Sequence, residues 1–229
     1  MNRPRDLIFF ASLLLAAIGL AVAPTLILNA PAEITMGFVQ RIMYFHVPCA
    51  WLTFLSAFVA AGGSVAYLWK DSRKGDAIGA SAAELTVVFG ICVLVTGPLW
   101  ARKAWGVWWA WKDVRLITTV LLWFIFIAYL FVRRYGGPGA PRLAAGLAIF
   151  GAVDVPIIYK AVDIWRTHHP KTTVVRSLGE GMRLPFFFTL AVFTIFWIAL
   201  MLMRLRLETA RHQLDQLHLD AQEAGLLDD

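Results

Sequence analysis

Six apolar runs dominate this chain, at 7–28, 49–69, 79–99, 116–133, 142–159 and 184–203, and together they take up more than half of its 229 residues. A helix needs about 20 apolar residues to cross the hydrocarbon of a bilayer, and each run meets or nearly meets that length. Charges are almost absent inside them. Glu84 and Asp154 are the exceptions, each near enough to a span end to reach the headgroups. The composition agrees, with 59% hydrophobic and only 16% charged residues, where a soluble domain carries about a quarter charged. So much apolar surface excludes a disordered chain, and unbroken runs exclude a single soluble core. The expected fold is an all-α integral membrane protein of six transmembrane helices over 1–203, followed by a cytoplasmic amphipathic tail over 204–229.

The first run follows Met-Asn-Arg-Pro-Arg. It is too long for the apolar region of a signal peptide and has no clear small-x-small cleavage site, so it reads as a retained span. Cys49 and Cys92 lie far apart with no Cys-x-x-Cys spacing, which points to neither a disulfide framework nor a zinc site. Walker-type glycine loops, His-Glu-x-x-His and Gly-x-Ser-x-Gly are absent, so the chain has no visible means of using ATP itself.

Six spans put both termini on one side. Two arginines precede the first span and one follows it, which places the termini in the cytoplasm. Charge is distributed against that signal, because the outer side carries ten Lys and Arg against five acids and the inner side eleven against ten. A cationic outer face suits an anionic ligand or an acidic partner.

The outer loop between spans three and four holds five of the ten tryptophans, Trp100, Trp105, Trp108, Trp109 and Trp111. An interfacial aromatic belt favours Trp, but five rings in one loop exceed what a belt needs. If this stretch is helical, Trp105, Trp108 and Trp109 share one face with Lys112 at its tip. That face would be a flat plate for a planar apolar ligand with charged edges, and belt packing remains the alternative. His46 and the pair His168–His169 stand in separate outer loops on either side of the plate, followed closely by Pro48 and Pro170. Neutral imidazole is an iron ligand in haem proteins. Two imidazoles from opposite loops could face the two sides of one porphyrin, with Arg41 and Arg115 meeting its propionates. His212 and His218 lie in the polar tail and read as solvated.

Two further segments carry expectations. Ile34, Phe38, Val39, Ile42 and Met43 have helical spacing behind Pro31 and Glu33, which predicts an amphipathic surface helix over 34–45 delivering His46. Leu207, Ala210, Leu214, Leu217, Ala221 and Ala224 form a short seam of the a/d type, expected to dock on a partner or on the chain's own cytoplasmic loops. Pro156 after Asp154 suggests a kink at the outer end of span five.

The stretch Trp105-Gly-Val-Trp-Trp-Ala-Trp111 resembles the tryptophan-rich WWD signature of haem-handling membrane proteins of cytochrome c maturation. Within that superfamily, six spans and this length resemble the haem exporter protein C family (CcmC), whose larger relatives CcmF and CcsA have more spans. Arg41-Ile-Met-Tyr-Phe-His-Val-Pro-Cys-Ala-Trp51, Asp154-Val-Pro-Ile157 and Trp165-Arg-Thr-His-His169 support the likeness. The resemblance implies His46 and His169 as axial ligands of haem b, with His168 as the fallback. It implies a platform of Trp105, Gly106, Trp108, Trp109 and Trp111, with Arg41 and Arg115 near the propionates. One departure stands out. Where the family reads Trp-Asp-x-Arg-Leu-Thr, this chain has Trp111-Lys-Asp113-Val-Arg115-Leu-Ile-Thr118, so an extra Lys112 leaves the role of Asp113 open.

By the same resemblance, the protein sits in the inner (plasma) membrane and presents haem on its outer face to the haem chaperone CcmE. CcmA, CcmB and CcmD would be its companions in a membrane complex, and it would act as a presenting, lyase-like subunit more than a turnover enzyme. The rival readings are a b-type membrane cytochrome, which would bury haem between spans, and a small-molecule permease, which would need charged or broken helices around a midplane cavity.

Overall fold

Backbone amides have no partner in hydrocarbon except one another, and every apolar run of the chain is accordingly helical. The computed structural model describes residues 3–165, 167–170 and 175–226. Its elements are α1 (Arg3–Asn29), a 3-10 turn (Phe38–Ile42), α2 (Met43–Lys70), α3 (Arg73–Trp105), α4 (Val114–Tyr135), α5 (Ala140–Ile164) and α6 (Arg183–Glu223). All six helices are long and apolar enough to cross a membrane, and the chain is a multi-pass membrane protein. Among the described residues the only β-type pairing is an isolated bridge between Glu33 and Gly37.

Several helices outrun the apolar stretches that predict them. At about 1.5 Å per residue, the 33 residues of α3 and the 41 of α6 reach well beyond the hydrocarbon. α2 begins at Met43, so His46 stands in its first turn and not in a loop. The amphipathic helix expected over 34–45 is replaced by the bridge at Glu33 and the short 3-10 turn, which runs directly into α2. α5 continues unbroken through Pro156 to Ile164. α6 runs without interruption from span into tail, so residue 203 marks a change of surroundings and not of backbone.

Local chemistry sets the ends of these helices. Asp71 takes a left-handed conformation at the end of α2. The Ser72 hydroxyl then caps α3 by accepting from the Gly75 amide at 3.0 Å, and a two-residue connection closes an antiparallel hairpin. α3 stops where Gly106 adopts φ 75, a conformation that costs glycine nothing. α4 starts where Asp113 caps it.

Helices in lipid gain little from burying leucine, and they associate instead through small residues that let backbones approach. The hairpin of α2 and α3 does this at Gly63, where a Cβ would stand 2.6 Å from both the Gly75 carbonyl oxygen and the Gly79 nitrogen. Gly151 on α5 likewise admits the Phe126 ring of α4, and Gly19 on α1 admits Val192 of α6. Gly63→Ala should therefore cost about 1–3 kcal/mol, the usual range for overpacking, because backbone atoms cannot rotate aside. Thermal unfolding in detergent micelles reads the loss, and an unchanged midpoint would mean the hairpin can open there freely. Leu52, Ala57, Ala82, Phe89, Leu122, Phe126 and Ile158 fill the centre. The Trp197 indole donates to Ser56 Oγ at 2.8 Å across it.

The odd-numbered connections share one end of the bundle and the even-numbered connections share the other with the termini. At the terminal end, Arg133 of α4 binds Asp76 of α3 and Glu208 of α6, and Arg206 reaches Asp6 of α1 at 2.7 Å. Glu84 is held by Arg204, so it is neutralised within the protein and not at the headgroups. These pairs dock the near part of the tail on the bundle, whereas Leu207, Leu214 and Leu217 of the seam stay exposed. Asp154 is 6% exposed and faces the bundle.

Candidate functional site

The end opposite the termini gathers the last turns of α1, α3 and α5 with the first turns of α2, α4 and α6. A second apolar cluster of Ala30, Met43, Tyr44, Leu178, Met182 and Phe186 anchors the chain entering α6 beneath this surface. His46 projects from the first turn of α2 along α3, where its Nδ1 lies 2.8 Å from Thr96 Oγ1. Its Cε1 is 3.5 Å from where a Cβ on Gly97 would stand. His169 is half-buried in the connection between α5 and α6, with Nδ1 2.9 Å from the Pro170 carbonyl oxygen. Among the described residues neither Nε2 has a hydrogen-bond partner. His46, His169 and the Arg115 guanidinium lie within electrostatic reach of one another.

A carbonyl oxygen only accepts, so His169 carries its proton on Nδ1 and leaves Nε2 as a bare lone pair. Burial pushes its imidazole down to about 4, with the Arg115 charge acting in the same direction. The hydrogen bond to Pro170 and the Asp113 charge oppose these effects without cancelling them. At neutral pH the ring is therefore uncharged, as a metal ligand must be. His168 differs. Its side chain is 60% exposed and its ring lies against Trp105 at 5.6 Å between centroids, so it faces the indoles and not Arg115.

The tryptophan loop does not form a continuous helix. Gly106 ends α3 one residue after Trp105, and residues 107–113 turn back toward α4, closed by a hydrogen bond from the Asp113 amide to the Ala110 carbonyl at 2.9 Å. The single helical face of Trp105, Trp108, Trp109 and Lys112 is thus not built. The indoles divide instead. Trp105 stacks edge-on with Trp100 at 5.6 Å, while Trp109 meets Trp111 at 6.1 Å. Trp109 keeps its Nε1 buried with no partner. Trp108 and Trp111 point outward, 58% and 77% exposed. Arg102 ties the turn together by binding the Gly106 carbonyl and lying 6.0 Å from the Trp108 ring.

Asp113 is 1% exposed and fully engaged. Oδ1 accepts from the amides of Arg115 and Leu116 at 3.0 and 3.3 Å, while Oδ2 accepts from the His168 amide at 2.6 Å. One carboxylate therefore starts α4 and fastens the loop that carries His169, leaving no lone pair prominent for a ligand. Asp113→Asn keeps one acceptor but turns an NH2 group toward an N–H donor. We expect a loss of about 1.5–3 kcal/mol, the range for a hydrogen bond to a charged group. Thermal unfolding in detergent micelles reads the loss, and a midpoint equal to wild type would exclude a fastening role.

Arg115 places Nη1 in a buried position with no hydrogen-bond partner. Arg41 is committed differently. Its Nη2 binds the carbonyls of Leu28 and Ala30 at 2.7 and 3.2 Å, capping the end of α1, and its guanidinium covers the Phe38 ring. Only its Nε is left without a partner.

Buried polar atoms are ordinarily satisfied, so the unmatched ones define what the surface would take. At this end they are Arg41 Nε, the Tyr44 hydroxyl, the Trp109 indole N–H and Arg115 Nη1, and two imidazole Nε2 lone pairs stand near them beside aromatic rings. That set fits a metalloporphyrin with carboxylate edges. Its donors suit iron and anionic oxygen, and among the described residues no three or more His, Cys, Asp and Glu gather to hold a metal ion by themselves. Thr96 is the participant the sequence hides, since its hydroxyl sits inside an apolar run like any other helical threonine.

Comparison with known proteins bears on this surface. A family described as CcmC, heme exporter protein C, matches residues 2–220. The chain is 32% identical to the heme exporter protein C of Bradyrhizobium diazoefficiens over 91% of its own length and 80% of that protein. It is 33% identical to the Escherichia coli K12 protein of the same description over 77% of its length and 73% of that protein. A putative cytochrome c biosynthesis ccmC-like mitochondrial protein of Marchantia polymorpha is 30% identical over 72% of the chain and 71% of its own.

Proposed function

Because the chain belongs to the heme exporter protein C family, we propose that it handles haem for cytochrome c maturation by holding haem b on the outer face of the inner membrane. In this reading His46 and His169 supply Nε2 to the iron, Arg115 and the Trp109 indole N–H meet the propionates, and Trp105, Trp108 and Trp111 border the ring. Gly106 supplies the reversal that lets the loop turn back, and Arg41 supports the site by holding the end of α1. The single observation that carries the reading is that two imidazoles, each in a hydrogen bond through Nδ1, stand near a guanidinium whose Nη1 is buried and unmatched.

Haem is cargo here, and its iron and vinyl groups supply the chemistry by which it is later attached to a carrier. The chain's own residues bind and orient. His46 rides on a rigid helix, and His169 sits on a loop fastened by Asp113. Orientation of this kind lowers the entropic part of a barrier. Trp108 and Trp111, exposed at the tip, offer the apolar contact through which the chaperone CcmE would dock, with CcmA, CcmB and CcmD as companions in the membrane. Both termini then lie in the cytoplasm.

A b-type cytochrome would place its histidines deep within spans, but none of the five lies deeper than His46 at the mouth of α2. The test is direct. Full-length protein purified in detergent and titrated with haemin should develop a Soret band with the visible bands of a low-spin bis-imidazole complex. It should then release haem to soluble CcmE and not to a CcmE variant lacking its attachment residue. A protein that inserts and folds yet gives no Soret band would overturn the proposal.

A further inference from the structure

Thr96 lies near the outer end of the apolar run 79–99, is only partly exposed, and stands beside the imidazole of His46. Its Oγ1 is 2.7 Å from the Cys92 carbonyl oxygen, one helical turn back, and 2.8 Å from His46 Nδ1. A hydroxyl has one proton to give and two lone pairs to offer. A carbonyl oxygen can only accept, so when the Thr96 proton goes to Cys92 the hydroxyl accepts from His46. In that arrangement the hydrogen resides on Nδ1, and Nε2 is left bare.

We propose that Thr96 is a positioning residue for the haem ligand, fixing the tautomer and ring orientation of His46 through this hydroxyl. The proposal rests on the haem reading above and adds a residue that reading does not need. The two imidazoles then differ in how they are oriented. His169 gives its Nδ1 proton to the main-chain carbonyl of Pro170 on its own loop. His46 gives its proton to a side chain on a neighbouring helix, so its setting depends on the packing of α2 against α3. Outer partners of this kind orient a ligating histidine and raise its basicity, and their loss typically costs about 10–100-fold in metal affinity. The ring has a clear path along α3, because Gly97 offers no side chain beside Cε1.

The test uses the full-length protein in detergent with haemin as the probe. Thr96→Val keeps the shape and removes the acceptor, whereas Thr96→Ser keeps the hydroxyl. Thr96→Val should lose haem to excess apomyoglobin about 10–100-fold faster. It should also show a high-spin fraction in its visible spectrum and a higher reduction potential, since a less basic imidazole stabilises ferric iron less. Thr96→Ser should stay close to wild type in all three. Far-UV circular dichroism checks that Thr96→Val is folded, and heteronuclear NMR of the histidine ring nitrogens in the haem-free wild type needs no variant at all. That spectrum should show His46 protonated on Nδ1.

A proton on Nε2 overturns the proposal, as does Thr96→Val with wild-type spin state, potential and release rate. Equal losses in the Val and Ser variants overturn it too, because the hydroxyl would not be the determinant. Failure of the haem reading looks different. There the wild type itself gives no bis-imidazole spectrum, or His46→Ala leaves that spectrum unchanged.

Discussion

The double variant His46→Ala/His169→Ala is expected to insert and fold like wild type but to hold no haem, with affinity down by well over the about 100-fold that loss of a mere supporting partner can cost. Each single variant should retain a weaker, high-spin complex, because one imidazole and the Arg115 guanidinium remain. The expectation follows from the disposition of the two rings. Both are bonded through Nδ1, and among the described residues both leave Nε2 without a hydrogen-bond partner, near a guanidinium whose Nη1 is buried and unmatched. His168→Ala should have a far smaller effect, because its exposed ring packs on Trp105. Soret absorbance and haem transfer to apomyoglobin measure all four proteins. Wild-type spectra from the double variant would exclude any axial role for these residues.

The largest loss of stability is expected at the other end of the bundle. Arg133 binds Asp76 through Nη2 at 3.0 Å and Glu208 at 3.3 Å, and His212 stands 3.6 Å from both carboxylates. Asp76 and Glu208 are 9% and 6% exposed. Arg133→Ala would leave two buried carboxylates facing one another with only an imidazole between them. Removing one partner of a buried ion pair costs about 3–5 kcal/mol, and here the cation serves two anions. Replacing the whole set with apolar residues of similar volume should cost much less, since an ion pair gains little over good packing. Unfolding in micelles at neutral pH reads both variants. An Arg133→Ala protein as stable as wild type would mean that water reaches the carboxylates and screens them.

The sequence made the membrane architecture legible because span length and charge exclusion are imposed by the solvent, residue by residue. It also made the chemistry at the mouth legible in kind. Five tryptophans, the separated histidines and the arginines announce an aromatic, cationic surface before any contact is known. The helical spacing of Trp105, Trp108 and Trp109 does not become a plate, because a single residue inside it ends the helix. Gly106 with φ 75 is the stop, and a glycine inside a helical pattern is a weak signal unless the cap is seen. Asp113 was more readable than its displacement from the family motif suggests. An acid immediately ahead of an apolar run is a helix N-cap signature, which is how its Oδ1 is used.

The amino-acid order alone determined six membrane-spanning helices, the alternation of their connections between two ends, and the presence of two imidazole-bearing segments at one of them. Those follow from hydrocarbon thickness and alternation of direction, which need no knowledge of neighbours. Tertiary structure alone decided which histidine of the pair turns inward, that Arg115 keeps a buried, unmatched Nη1 while Arg41 is spent on the end of α1, and that Thr96 stands against His46. Each of those outcomes depends on hydrogen bonds between residues far apart in the chain, 50 positions for His46 and Thr96 and 55 for Asp113 and His168. No local pattern encodes such a pairing, because it exists only once the helices have packed.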